Sequence, residues 1–147
     1  MPTNRTSSKV HFHFLKGANS LSNRTRLKTF ITSLFKKEGK KLEDIHYIFC
    51  SDDYLLEINR QHLQHDYYTD IITFGLSQPG QPILAEIYIS IDRVKDNAGQ
   101  FQVPLKEELH RVIFHGALHL CGYKDKRFKD QQLMRKMEDK YLELYFK

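Results

Sequence analysis

Tryptophan is absent, and 147 residues hold only two cysteines, Cys50 and Cys121. Two thiols are too few for a disulfide scaffold. Both sit among apolar neighbours, so they read as reduced, buried residues of a cytoplasmic protein, with no disulfide partner. Long apolar runs are also missing: none approaches the ~18 residues of a membrane span, so no membrane partner is expected. The opening MPTNRTSSK lacks the apolar centre of a secretory signal, and residues 1–8 are expected to be poorly ordered. There is no internal repeat and no linker. Proline and glycine are sparse, four and seven residues, which excludes collagen-like and low-complexity chains. The remainder is ordinary globular composition at a length of one domain, taken as residues 1–147.

Acidic residues are scarce in one place. Residues 1–41 carry ten Lys and Arg against the single Glu38, whereas the following 106 residues carry thirteen basic and seventeen acidic side chains. A polyanion contacted by the N-terminal third would explain this asymmetry; so would a solvated basic surface.

Hydrophobic periodicity outlines the elements. Val10–Phe14 alternates as a strand. Leu27, Phe30, Ile31, Leu34 and Phe35 form one helical stripe, with Ser22 or Asn23 to cap it and Gly39 to close it. Ile45–Cys50 is apolar on both parities, as a strand buried on both faces would be. A short helix follows from Asp52 to about Leu63. Ile71–Phe74 and Ile83–Ile91 flank the turn signal SQPGQP and suggest a hairpin. A short helix opens at Asp92, and a long one follows Pro104 and runs to about Cys121. A last helix spans about Asp130–Tyr145, with Leu133, Met137, Tyr141 and Leu144 as its apolar face. This order predicts an α+β fold: a single domain with a mixed sheet of about four strands packed with about five helices.

The segment HGALHLCGYKD, His115–Asp125, carries chemistry. Histidines four apart on a helix project from the same side, the geometry of two imidazoles on one metal. That pair alone says little. Gly122 can reverse the chain and return Asp125 to the same side, so that His115, His119 and Asp125 form two helical ligands plus a third after a glycine turn. Three ligands with one open position describe a catalytic zinc site on the helix after Pro104. The alternative is two border histidines bonded to backbone, with Asp125 a turn residue. A zinc protease would need Glu directly after the first histidine, where this chain has Gly116.

At this segment the sequence resembles the YbeY family of bacterial rRNA maturation factors. Residues 115–123 match every specified position of the family signature H-G-x-L-H-L-x-G-Y-D-H. Ile58–Phe74 is similar to the family's L-N-x-x-Y-R…P-T-D-V-L-S-F block, and Leu84–Ser90 to its G-D-I-x-I-S strand. The resemblance covers about residues 45–145. It implies a metal-dependent endoribonuclease, a hydrolase of phosphodiester bonds in single-stranded RNA. It further implies one Zn(2+) per chain, a role in late 16S rRNA 3′-end maturation and ribosome biogenesis, and rRNA in the small ribosomal subunit as partner. The chain departs from the pattern at several positions, among them Lys124, which replaces the Asp before the third histidine. Asp125 replaces the third histidine, Leu63 replaces an arginine linked to phosphate binding, and Glu86 replaces Asp.

Other residues have two readings each. Asp70 could support a site histidine or cap its strand. Glu86 could be a general base or a carboxylate supporting the site. Tyr67 and Tyr68 could stack on bases or anchor a loop. Arg60, His62 or His65 could stand in for the arginine missing at Leu63, whereas His110 falls off the ligand side. Without an evident general base, the competing function is a non-catalytic RNA-binding assembly factor with a structural or vestigial metal. The sequence assigns no catalytic residue and no oligomeric state.

Overall fold

A computed structural model describes residues 8–147; the expectation for residues 1–7 lies outside the described residues. Ser8 makes two hydrogen bonds with Val10. The chain forms β1 (Val10–Phe14), α1 (Arg24–Lys37), β2 (Leu42–Cys50), α2 (Asp52–Leu63), β3 (Ile71–Gly75), β4 (Ile83–Ser90), α3 (Ile91–Phe101), α4 (Leu105–Leu120) and α5 (Phe128–Tyr145). A 3-10 turn at Ala18–Ser20 precedes α1. This is the expected α+β order, and the sheet is mixed. Its strand order is β1-β2-β4-β3, with β1, β2 and β4 parallel and β3 antiparallel to β4 as the hairpin signal implied.

Strand alternation assigns the two faces. Ile45, Tyr47 and Phe49 of β2 and Ala85, Ile87 and Ile89 of β4 join the main core with residues of α1, α4 and α5. On the opposite face α2 covers the β3–β4 half, where Cys50, Leu55 and Ile72 form a smaller core with Phe74 and Tyr88. The strand expected at Ile45–Cys50 begins at Leu42, where a bulge shifts its register against β4. Asn23 holds the cap position of α1 with φ 52° but makes no side-chain capping bond. Gly39, at φ 72°, turns the chain out of that helix. Both cysteines are free and buried, and burial pushes each thiol up to about 12. Among the described residues no helix is long and apolar enough to cross a membrane.

Two readings of helix faces meet different fates. In α4 the helical stripe Leu105, Leu109, Val112, Ile113 and Leu120 is buried at its centre and only partly so at Leu105 and Leu120, but nearly every residue from Glu108 to Leu118 is buried as well. The helix is sandwiched between the sheet, α3 and α5. At Gly116 it lies so close to the sheet that an added Cβ would come within 2.9 Å of Ile87 and 3.0 Å of Ile71. The α5 face needs correction. Leu133 and Leu144 are exposed, while Met134, Glu138, Tyr141, Leu142 and Tyr145 are buried. The inward stripe contains a glutamate, which hydropathy assigns to solvent; its ion pair with Arg111 of α4 sets the helix's rotation.

Candidate active site

The end of α4 is built by its stop signal. Gly122 adopts φ 109°, and the Tyr123 and Gly122 amides donate to the Leu118 and His119 carbonyls at 3.1 and 3.0 Å. This pairing is that of a helix closed by a left-handed residue. It sends the chain back along α4, and the Asp125 carboxylate arrives 3.1 Å from His115 Nε2.

Each α4 histidine has its Nδ1 occupied by the protein. His115 Nδ1 donates to Glu138 Oε2 at 2.7 Å, and His119 Nδ1 donates to the Tyr123 carbonyl at 3.0 Å. Such bonds fix ring orientation and tautomer and leave Nε2 as the nitrogen turned away from these partners. His115 is partly buried and His119 exposed. Glu138 also accepts from Arg111 at 3.0 Å, and Arg111 reaches Asp139 at 2.7 Å. A chain of alternating charge therefore runs from Asp139 through Arg111, Glu138 and His115 to Asp125. Burial opposes charge on His115, but the hydrogen bond and charge of Glu138, with Asp125 and Asp70, hold its pKa above the ordinary imidazole value.

His115 and Asp125 sit where two clefts meet. One is lined by Asp70, Asn97, Glu108, Arg111, Arg135 and Glu138. Burial raises the pKa of Asp70 there, and Asn97 donates to its carboxylate at 3.4 Å. Glu108 is raised by burial and by the charge of Asp70. The other cleft brings together Asn59, Leu63, His65, Tyr67, Thr69, His119 and Lys126. Asp70 thus faces the site histidine's cleft, and its charge acts on His115 without a direct hydrogen bond.

The remaining candidates separate. Glu86 lies on the sheet face opposite Ile87, away from α4, and accepts from Tyr88 at 3.0 Å. Its strand parity excludes it from the α4 site, so the general-base reading is corrected. Arg60 is tied to Asp66 at 2.6 Å and faces Glu57, so it does not occupy the place left by Leu63. Lys126 is the cation in that cleft, and His65 lines it too. Tyr67 and Tyr68 are about half exposed, and the Tyr68 hydroxyl reaches Asp53. Tyr67 stacks on His65 with centroids 5.2 Å apart and bonds it through its hydroxyl. His110 is buried against Tyr145, Phe114 and Phe146 and takes no part in the site.

Among the described residues, the metal-capable group whose ligand atoms all lie within 4.8 Å of one another is not the α4 set. It is His11, Asp44 and His46, on the sheet face away from α4. Sequence reasoning missed it. The alternating VHFHF and LEDIH segments put these residues on one face of their strands, but nothing local told which strands pair.

The basic N-terminal third is partly used by the protein itself. Lys16 pairs with Asp92 at 2.5 Å, Arg24 bonds the Ala18 carbonyl and lies over Phe14, and Arg26 bonds the Tyr145 carbonyl and lies over its ring. Lys36, Lys37, Lys40 and Lys41 are exposed and form no ion pair among the described residues. Lys40 and Lys41 line a groove that also holds Leu120, next to His119.

A family model described as Endoribonuclease YbeY matches residues 15–145. A Cytophaga hutchinsonii protein named Endoribonuclease YbeY is 52% identical over 124 residues, covering 84% of this chain and 87% of its own. A Flavobacterium psychrophilum protein of the same name is 53% identical over 116 residues, covering 79% and 82%. A solution structure of a Thermotoga maritima protein superposes with TM-score 0.66 at 30% identity, covering 93% of this chain and 89% of that one.

Proposed function

This chain belongs to the YbeY endoribonuclease family, and we propose that it is a zinc-dependent endoribonuclease cutting single-stranded RNA. Its substrate in this reading is rRNA of the small ribosomal subunit, at the stage of 16S 3′-end maturation. The supporting observation is the donor set at the end of α4. His115 and His119 each commit Nδ1 to a protein acceptor and keep Nε2, and the Asp125 carboxylate lies beside His115. Two imidazoles and a carboxylate suit a borderline divalent ion and leave a position open. These three residues are therefore assigned as its ligands. The bound ion supplies Lewis-acid polarisation of a scissile phosphate or activation of a water.

The protein's own groups account for the rest. Glu138, held by Arg111, keeps His115 in one orientation and tautomer. Asp70, raised by burial, is the carboxyl in the His115 cleft suited to take up and return a proton. Lys126, in the cleft with Leu63, and Arg135, in the adjoining cleft, offer positive charge to phosphates, and the exposed Tyr67–His65 stack offers a face to an unpaired base. Lys40 and Lys41 extend the cationic path along the adjoining groove.

Metal content and turnover of His119→Ala and Asp125→Ala test this reading. His119→Ala should lose one zinc per chain and all cleavage of single-stranded RNA while still binding it; Asp125→Ala should hold zinc more weakly. Undiminished cleavage by His119→Ala would refute the catalytic site. Binding to the ribosomal subunit with no cleavage by the wild type would leave the RNA-binding assembly role.

A further inference from the structure

The face of β1–β2 turned away from α4 carries a second set of metal-capable side chains. The parallel register sets His11 opposite His46, and Asp44, two residues before His46, shares its face. His11 Nε2 lies 2.6 Å from Asp44 Oδ1, and His46 Nε2 lies 2.8 Å from Asp44 Oδ2. One carboxylate thus bridges the same nitrogen of two rings, which stack with centroids 4.4 Å apart. His46 Nδ1 in turn meets His13 Nε2 at 2.8 Å. The three side chains are about one-third exposed, and α2 covers the β3–β4 half of this face.

We propose that His11 Nε2, His46 Nε2 and the Asp44 carboxylate form a second metal site, taking one divalent ion of the zinc class and stapling the edge strand β1 to β2. Three features distinguish it from a row of surface hydrogen bonds. The donors are two imidazoles and one carboxylate, a set that selects borderline ions over magnesium or calcium. Both rings present Nε2 inward. The remaining His46 nitrogen is engaged by His13, the outer contact that orients a ligating histidine. Donors around a tetrahedral ion at ~2.1 Å stand ~3.4 Å apart, so a small outward turn of the rings admits the ion. The ligands come from two strands, so binding ties the five-residue β1, paired along one side only, to the sheet interior.

Zinc titration of dialysed protein against a chromophoric chelator, with amide exchange across β1, tests the site. Wild type should bind two ions and His46→Ala one. Asp44→Asn, which keeps the side chain's shape, should also bind one, and the His46→Ala/His119→Ala double variant none. Zinc should slow β1 exchange in wild type and in His119→Ala, but not in His46→Ala. Unchanged stoichiometry in Asp44→Asn and in folded His46→Ala would overturn the second site. One ion lost on His46→Ala but retained by His119→Ala would uphold it and refute the α4 site, so the two assignments fail separately.

Discussion

Gly116 stands between His115 and His119 of α4, and its replacement by alanine measures how tightly that helix is pressed on the sheet. Two effects oppose each other. Alanine in a helix interior is favoured over glycine by ~1 kcal/mol. Against this, the new Cβ would lie 2.9 Å from Ile87 Cδ1, 3.0 Å from Ile71 Cδ1 and 3.2 Å from Ile87 Cγ2. The two Cδ1 atoms can swing away about χ2. Cγ2 sits on the β-branch and moves only with χ1 or the backbone, and Ile87 is fully buried in the sheet's second interior strand. Overpacking of this kind costs ~1–3 kcal/mol, so a net loss of about 1 kcal/mol is expected, or a few degrees in Tm for a domain of this size. Gly99 is the control. It is exposed in α3, and nothing lies within 4 Å of its added Cβ, so Gly99→Ala should stabilise by ~0.5–1 kcal/mol. Urea unfolding of both variants reads the difference directly. If Gly116→Ala were as stabilising as Gly99→Ala, the close approach of α4 to β4 would be wrong. The same crowding explains why a glutamate, with a charge to bury as well, has no place after His115.

Two more outcomes follow from groups around α4. Glu138→Gln keeps the side chain's shape but removes the carboxylate that orients His115, so zinc affinity at the α4 site should fall about 10–100-fold; competition titration in the His46→Ala background, which isolates that site, checks this. His110 donates from Nδ1 to the Lys106 carbonyl at 2.7 Å and has its buried Nε2 without a partner. Burial, helped by the charges of Lys106 and Arg26, holds its pKa below the ordinary 6.5 despite that bond. The unfolded chain therefore takes up this proton first. The stability contributed by neutral His110 is full above 6.5 and is lost as pH falls from there toward the native value. His110→Phe should flatten the fall in Tm between about pH 7 and pH 5, and an unchanged slope in melts across that range would refute this assignment.

The elements were legible because each has a local signal: alternation in VHFHF, the 3.6-residue stripe of α1, the SQPGQP turn, and Gly122 after α4. Strand bounds and helix phase were less so where a polar residue faces inward. Hydropathy turns α5 toward Leu133 and Leu144, because it scores Glu138 as solvent-facing. Yet Glu138 is desolvated against Arg111 and His115, partners 27 and 23 residues away in sequence. No pattern within α5 reports them.

The same distinction divides the functional residues. His115, His119 and Asp125 are close in sequence because one helix and its glycine turn place them, so their spacing carries the geometry. Glu86 and the His11–Asp44–His46 group depend instead on which sheet face points at which helix. Parity within β4 puts Glu86 opposite Ile87, but only the packing of α4 on Ile87 tells that the α4 histidines lie on the other side. Likewise His11 and His46 are 35 positions apart, and neither segment betrays the other. Their meeting requires β1 and β2 to pair in parallel with this register. A slip of one residue would turn His11 toward the core and take it out of reach of Asp44. Any chemistry on that face therefore depends on the same hydrophobic alternation that buries Val10, Ile45 and Tyr47 on the other.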